Sequence, residues 1–286
     1  MRVIIDTNRL QADELRAFLA MSPAHRAVLT DYTAVESFKG DALINIQNNM
    51  AVLRDFPGQT IVLAATGRNV CTNPALAAMG DRMIDKEQTR ALPDFFRTID
   101  RASAGNQSIQ AQLRLRGTWA NQRLDTMTGQ QPDFRGIIEE IAGNFSEADL
   151  RLIRAEKAWP RSVQQVILTM VVELADAAFD TAPAEARRPR VHDRWNHFIY
   201  RQSLCHIIHL VLLMRKGTRD RKPETVRNDL IDQILATYAT YFNGLMSDDF
   251  QIHNVHWLTT KILRDLGARV PPDYTNWVLR LDSALE

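Results

Sequence analysis

Short β-rich segments near both ends of the chain enclose a long central stretch with helical periodicity. Residues 2–5 form an apolar run typical of a strand buried on both faces in a parallel sheet. Residues 59–66 predict a second strand, and residues 245–247 and 268–270 predict two more near the other end. From about residue 70 to 215, apolar residues recur at i, i+3 and i+4, which predicts helices. The expected fold is therefore α/β, interrupted by a helical block.

Composition favours a soluble protein. The 286 residues, 45% of them hydrophobic, can form a sizeable core in one large domain or two ordinary ones. The sequence has no run of about 18 apolar residues, so no membrane span is expected, and its start lacks a secretory pattern. Only two cysteines occur, Cys71 and Cys205, which is typical of a reducing compartment. We therefore expect a cytoplasmic location.

The net charge of +1 is unevenly distributed along the chain. Residues 86–227 contain 23 Lys and Arg against 17 Asp and Glu, a local net charge of +6. Most of the basic residues are arginines, which bind phosphate bidentately and stack on bases. The basic middle favours contact with nucleic acid, and an ordinary helical surface is the alternative.

Acidic side chains follow the predicted strands. Asp6 comes directly after the first strand, and Asp248 and Asp249 follow the strand predicted near the other end. In an open parallel sheet, ligand sites lie beyond the carboxyl ends of the strands. Asp229 and Asp232 are three residues apart and share one face of a predicted helix; a solvent-exposed face is the alternative.

Glu36 is the further acidic candidate. Residues 27–32 fit a short strand or a turn, and Thr33 with Glu36 forms the pattern of a capping box at the start of a helix. Glu36 could therefore serve only the cap, and Asp6 could likewise serve only to cap the helix that follows it. Carboxylates that converge on one spot repel each other unless a cation neutralises them. Hard oxygen ligands suit Mg²⁺ or Mn²⁺, which assist phosphoryl chemistry.

Four motifs together resemble the PIN-domain ribonucleases. They are the strand ending in Asp6-Thr7-Asn8, the helix-borne Glu36, the sequence NDLIDQILA from residue 228, and LMSDDF from residue 245. The resemblance implies a three-layer α/β/α fold with a central parallel sheet. It also implies cleavage of RNA with Mg²⁺ or Mn²⁺ held by three or four acids.

The resemblance assigns a role to each acidic motif. Asp6 matches the first acid of the family, Glu36 the second, and Asp232 the third, with Asp229 as its rival. At the last strand end, Asp249 fills the fourth position.

The polar neighbours of these acids follow the same pattern. Ser247 completes the last strand-end motif, with Asp248 as the neighbour of Asp249. Asn8 matches the polar residue two positions after the first acid, and Asn8 and Ser247 are expected to orient water or ligands.

The match covers only the two ends of the chain. Glu36 and Asp232 are 196 positions apart, far more than a compact PIN domain needs. We therefore predict a discontinuous nuclease core, residues 1–70 and 215–286, with a helical insertion, residues 71–214, part of which completes the core.

A basic loop precedes the helix of the third acid. Its six basic residues are predicted to contact a phosphate backbone; they are Arg215, Lys216, Arg219, Arg221, Lys222 and Arg227. A solvated loop is the alternative. The histidine pairs His206/His209 and His253/His256 are interpreted as packed or surface residues, and the five tryptophans as core residues.

The sequence thus predicts a metal-dependent endoribonuclease. Asp6, Glu36, Asp232 and Asp249 are the predicted catalytic acids, and the predicted metal ligands add Asp229 and Asp248. The expected partner is RNA, single-stranded or transfer RNA, and the insertion could bind a protein or a second copy. By family analogy the context is a toxin or defence system. The alternatives are an inactive interaction module, a haloacid-dehalogenase-like phosphatase or a DNA nuclease.

Overall fold

Four parallel strands form the only sheet among the residues that the structure describes. The structure is a computed structural model, and it describes residues 1–73, 75, 78–129, 134–155, 159–215 and 222–274. The strands are β1 (Arg2–Ile5), β2 (Arg26–Leu29), β3 (Thr60–Val62) and β4 (Leu245–Met246), in the order β3-β2-β1-β4. The expected α/β class is confirmed, with the first and last strands of the sequence as neighbours.

Helices make up most of the chain. Within the described residues they are α1 (Asp13–Met21), α2 (Asp31–Ser37), α3 (Ala42–Asn49), α4 (Ala51–Asp55), α5 (Thr66–Asn69), α6 (Met79–Arg82), α7 (Lys86–Ser103), α8 (Gln107–Gly129), α9 (Phe134–Gly143), α10 (Glu147–Arg154), α11 (Arg161–Thr181), α12 (Phe198–Arg215), α13 (Pro223–Ala239) and α14 (Phe250–Asp265). Short 3₁₀ turns occupy Thr7–Arg9, Pro57–Gln59 and Val191–Asn196.

The strand predicted at residues 268–270 is wrong. The backbone N–H of Arg269 donates to the side chain of Asn196, and the carbonyl of Arg269 accepts from the guanidinium of Arg201. Because side chains satisfy these backbone groups, this segment does not join the sheet.

Both faces of the sheet are covered by helices. Ile4, Val28 and Ile61 lie in a core that they share with α12, α13 and α14. Ile5 and Leu29 point to the other face, where α1, α3 and α7 complete a second core. Side chains alternate between the faces because the strand repeat is two residues. The helices α7 and α12, from the predicted insertion, therefore pack in the same cores as the strands.

One helix has the length and composition of a membrane span. Among the described residues, α11 has 21 residues and a mean hydropathy of 1.3 over its most apolar window. An unbroken run of about 18 apolar residues, which was the sequence criterion for a membrane span, does not occur in α11. Its side chains Val163, Ile167 and Val171 are fully buried along one face, and it packs against α12. Of its most apolar window, 33% is buried in the fold, and a single helix of this length and composition is weak evidence for a membrane span.

The helix pair α3–α8 is closely packed at a glycine. A Cβ on Gly117 of α8 would lie 2.5 Å from the Cβ of Ala42 on α3. The methyl group of Ala42 is attached directly to the backbone, so it cannot rotate away. The helices α3 and α8 both contact α2, which carries Glu36, so this packing helps to fix the position of that residue.

We expect Gly117→Ala to lower the free energy of unfolding by about 1–3 kcal/mol, because a methyl group without space displaces α8 from α3. Gly143→Ala is the matched control, since a Cβ added there would meet no atom of the described residues within 4 Å. It should leave stability unchanged or raise it by up to about 1 kcal/mol. Urea unfolding of both variants measures the difference. Equal stability of the two variants would show that the α3–α8 interface tolerates a larger separation.

Candidate active site

The acidic residues gather at the carboxyl edge of the sheet. Asp6 follows β1, Ser247 follows β4, and Glu36 lies on α2, which begins two residues after β2 ends. The strands are parallel and adjacent, so their carboxyl ends bring these three distant parts of the sequence together.

Asp6 and Ser247 bond across the ends of β1 and β4. The hydroxyl of Ser247 donates to Oδ2 of Asp6 at 2.6 Å, and Asp6 is 6% exposed. The side-chain amide of Asn8 lies 3.4 Å from Oγ of Ser247, and its oxygen accepts the N–H of Asp248 at 3.2 Å. The alternative that Asp6 serves only the turn after it is therefore insufficient, because its carboxylate joins two strands.

Glu36 points toward this cluster. The hydroxyl of Thr7 donates to Oε2 of Glu36 at 2.9 Å. The predicted capping box is wrong, because α2 begins at Asp31 and its N-cap is Thr30, which accepts the N–H of Thr33. Glu36 therefore lies in the last turn of α2, where it has no capping role.

Asp229 and Asp232 line a small cavity of about 10 Å³, the size of one water molecule or ion, together with Asp249 and His209. Nε2 of His209 lies 3.5 Å from Oδ2 of Asp229, and its Nδ1 lies 3.2 Å from the side-chain nitrogen of Gln251. Asp229 and His209 are both buried, so the solvent-exposed alternative for the Asp229 face is wrong.

Among the acids of the site, Asp232 has the most strongly raised pKa. Burial is the largest cause that raises the pKa of Asp232 to about 8. The other causes are the charges of four neighbouring carboxylates, those of Asp6, Asp249, Asp229 and Glu36. Five acids from four separate parts of the chain thus interact at one place.

Asp6 and Glu36 are perturbed in the same direction. Burial raises the pKa of Asp6, the hydrogen bond from Ser247 opposes the rise, and the charge of Asp249 adds to it. Burial also raises the pKa of Glu36, the hydrogen bond from Thr7 opposes it, and the charge of Asp6 adds to it. Holding this cluster ionised therefore costs folding free energy.

The structure separates the two acids at the end of β4. The carboxylate of Asp248 is exposed and pairs with Arg9 at 2.6 Å. Asp249 caps α14 by accepting the N–H of Gln251 at 2.6 Å, and its charge acts on both Asp6 and Asp232. Of the two, Asp249 is the one coupled to the cluster.

The donor set fits a hard divalent cation in chemistry, because all five clustered side chains are carboxylates. Within the described ranges, no three His, Cys, Asp or Glu side chains already stand in a metal-binding arrangement. Asp6 and Glu36 instead accept hydroxyl hydrogen bonds from Ser247 and Thr7. A bound ion would therefore require some of these side chains to reorient.

Half of the predicted phosphate-binding residues, Lys216, Arg219 and Arg221, lie outside the described residues. Nε of Arg215 donates to the carbonyl of Ile153, and Lys222 is exposed at the start of α13.

Among the described members of that predicted set, Arg227 lies near the acids. It is buried, it lies 3.3 Å from the hydroxyl of Thr128, and its charge lowers the pKa of Glu36. Its position indicates a role in balancing the charge of the cluster.

Sequence reasoning missed an aromatic and cationic group at the same edge of the sheet. Arg123 pairs with Asp31 at 3.2 Å, and its guanidinium lies over the rings of Tyr32 and Trp119, 5.4 and 5.6 Å from their centroids. Asp31 also accepts a hydrogen bond from the hydroxyl of Thr66, in the segment after β3. The group therefore continues along the carboxyl edge of the sheet from β2 toward β3. Trp119 is 56% exposed, so its interpretation as a core residue is wrong. The spacing of Trp119 and Arg123, one helical turn apart, was the available signal.

The histidines have closer relations to the site than the sequence indicated. His253 bonds to the carbonyl of Ser247 at 2.9 Å, and His209 lies beside Asp229. His206 bonds to Gln233, next to Asp232 in sequence. His206 and His209 lie one turn apart on α12 and face α13. This spacing was the available sequence signal for the contact of His209 with Asp229.

No family model matches this chain, and no curated protein or solved structure matches it either. The resemblance to the PIN-domain ribonucleases therefore depends on the sequence motifs.

We expect Asp232→Asn, in chelator, to be more stable than the wild type, with the difference growing from about pH 4 to about pH 8. The folded state raises the pKa of Asp232 to about 8, so it binds the proton more tightly than the unfolded state. The wild type therefore loses stability as the pH rises through this window, and the neutral amide does not.

Denaturant unfolding at pH 5, 7 and 9 measures this difference, which should reach about 2 kcal/mol or more at pH 9. Asp125→Asn, at an exposed position of α8, is the control and should show no such trend. A pH-independent difference for Asp232→Asn would mean that the carboxylates do not interact in the folded protein.

Proposed function

We propose that this protein is a metal-dependent endoribonuclease with a PIN-like fold. The observation that carries the proposal is the convergence of five carboxylates on the carboxyl edge of a parallel sheet, where Asp232 has a pKa of about 8. A cluster that is so costly to hold ionised is typical of sites that bind cations or perform acid–base chemistry. The parallel sheet with helices on both faces is compatible with the three-layer fold that the resemblance implies.

The residues that would hold Mg²⁺ or Mn²⁺ are Asp6, Glu36, Asp232 and Asp249. Each carries hard oxygen donors, and their mutual repulsion falls when a cation takes the place of the proton on Asp232. When bound, such an ion supplies an activated water and offsets negative charge on a phosphodiester.

The neighbouring polar residues orient these acids. Ser247 and Thr7 donate hydroxyl hydrogen bonds to Asp6 and Glu36, and these bonds set the direction of the remaining lone pairs. Asp229 lies beside His209, and its charge is one of those that raise the pKa of Asp232. Asp248 pairs with Arg9 outside the cluster.

The choice of RNA as the substrate is supported by the aromatic group at the same edge. The exposed ring of Trp119 offers a stacking surface for an unpaired base, and Arg123 beside it adds a cation. The arginine-rich middle of the chain supplies a favourable field for a polyanion. A single-stranded region is required, because stacking on a side chain needs an unstacked base. We place this activity in the cytoplasm.

Two alternatives are less well supported. A haloacid-dehalogenase-like phosphatase needs a second Asp two residues after the first, and Asn8 occupies that position. An inactive interaction module gives no reason to keep five carboxylates together against their repulsion. Hydrolysis of DNA uses the same chemistry, so the substrate assay includes it.

We expect Asp6→Asn to abolish divalent-dependent cleavage of single-stranded RNA, because the amide removes a charge from the centre of the cluster. Asp248→Asn is the control, since its carboxylate pairs with Arg9 outside the cluster, and it should keep cleavage within about threefold, as expected for loss of an exposed ion pair. The assay compares single-stranded RNA, transfer RNA and single-stranded DNA with Mg²⁺, Mn²⁺ or chelator. Undiminished cleavage by Asp6→Asn would refute the site, and cleavage of DNA alone would refute the substrate.

We expect Trp119→Ala to weaken binding of single-stranded RNA by about 5- to 100-fold. This is the loss of affinity expected when one base can no longer stack on an aromatic side chain. Trp119→Phe should recover part of the affinity. Both are measured by fluorescence anisotropy in the Asp6→Asn background, so that RNA is not cut.

The control for this measurement is Trp257→Ala. Trp257 is 58% exposed and has Lys261 over its ring, so it matches Trp119 in exposure and in its cation. It lies on α14, two turns beyond Asp249, and should leave the affinity unchanged. An equal loss of RNA affinity in Trp119→Ala and Trp257→Ala would refute the stacking role of Trp119.

A further inference from the structure

An exposed aromatic ring follows the last strand at the carboxyl edge of the sheet. Phe250 is the first residue of α14 and is 78% exposed, the highest value among the large apolar side chains of the described residues. It belongs to neither of the two cores that flank the sheet. A single exposed apolar side chain is common on protein surfaces, so the position of Phe250 decides what its ring can do.

Phe250 lies at the open side of the carboxylate cluster. It follows Asp249 directly, and the charge of Asp249 acts on both Asp6 and Asp232. Of the four acids proposed to hold the metal ion, Asp249 alone is exposed, whereas Asp6 is buried and the other two are partly buried. A phosphodiester therefore reaches the cluster most easily at Asp249, beside the ring of Phe250.

The aromatic groups at Trp119 and Phe250 lie on opposite sides of the acids. The first group is joined to the sheet after β2, where Asp31 pairs with Arg123 beside the ring of Trp119. Phe250 follows β4, and β1, which is followed by Asp6, lies between β2 and β4. Neighbouring strands are about 4.8 Å apart, so about 10 Å separates the ends of β2 and β4. An RNA strand that crosses the acids along this edge meets one ring before them and the other after them.

We propose that Phe250 is a second base-stacking residue, which holds an unpaired base on the β4 side of the phosphodiester while Trp119 holds one on the β2 side. This inference rests on the proposed ribonuclease function. Stacking on an aromatic ring accepts every base, because each base has a π face, and it requires a base that is not stacked in a helix. The substrate class is therefore RNA that is unpaired on both sides of the cleaved bond.

The first test is binding of single-stranded RNA, measured by fluorescence anisotropy in the Asp6→Asn background. Phe250→Ala should weaken binding by about 5- to 100-fold, as expected for the loss of one stacked base. Phe250→Tyr should keep most of the affinity because it keeps a ring. Phe250→Leu should bind as weakly as Phe250→Ala, because it keeps the apolar bulk without the ring. The position is exposed, so all three variants should fold, and urea unfolding checks this.

The matched control is Trp257→Ala. Trp257 is 58% exposed and lies seven residues after Phe250 on α14, so the two rings share one face of the helix. It is about 10 Å further along the helix axis from the cluster than Phe250 is. Its removal should therefore leave the RNA affinity unchanged.

A second measurement locates each stacked base. The cleaved bond is first mapped with the wild type and Mn²⁺, and a single abasic nucleotide is then placed on one side of it or on the other. Each abasic RNA should bind the Asp6→Asn protein more weakly than the intact RNA does. The abasic site on one side should have no further effect in Phe250→Ala, and the abasic site on the other side should have none in Trp119→Ala.

The inference is wrong if Phe250→Ala binds RNA as tightly as Trp257→Ala, or if Phe250→Leu retains the affinity. It is also wrong if Phe250→Ala and Trp119→Ala become insensitive to the same abasic site. Any of these results, with divalent-dependent cleavage by the wild type, leaves the ribonuclease function standing. Absence of cleavage by the wild type would instead refute the proposed function, and this inference with it.

Discussion

The cost of burying several carboxylates side by side is the constraint on which the rest of this structure depends. Burial is the largest cause that raises the pKa of Asp232, and the charges of Asp6, Asp249, Asp229 and Glu36 add to it, so the fold must hold these acids together against an electrostatic cost. The pairing of β1 with β4, and the bond from Ser247 to Asp6 across their ends, provide that restraint. The buried cores on both faces of the sheet supply the free energy that offsets the cost.

The two edges of the sheet carry opposite charge. β1 begins at Arg2 and is followed by Asp6, and α13 carries Asp232 in its middle while Thr240, at its C-terminal end, accepts from Arg201. Helix α13 therefore helps to position the carboxylate cluster at one edge and accepts a hydrogen bond from the buried guanidinium of Arg201 at the other.

Several features follow from local patterns that can be recognised in the sequence. The apolar runs at residues 2–5 and 245–247 predict strands, and in the structure β1 and β4 occupy those places. The acids that follow them were proposed as one site for the same reason, since ligand sites lie at carboxyl strand ends. Two local predictions were wrong, the cap at Thr33 and the strand at residues 268–270, because Thr30 and Arg201 supply hydrogen bonds from outside the local pattern.

The sequence by itself determined the α/β class, the strand-end position of Asp6 and the helical spacing of Asp229 and Asp232, because periodicity and punctuation are properties of neighbouring residues. Only the tertiary structure decided that Asp249 rather than Asp248 interacts with the cluster, that Trp119 lies exposed beside Arg123, and that Arg201 is buried among uncharged hydrogen-bond acceptors. Those outcomes depend on contacts between residues far apart in the chain, and the direction in which a side chain points is set by the packing of its element against all the others.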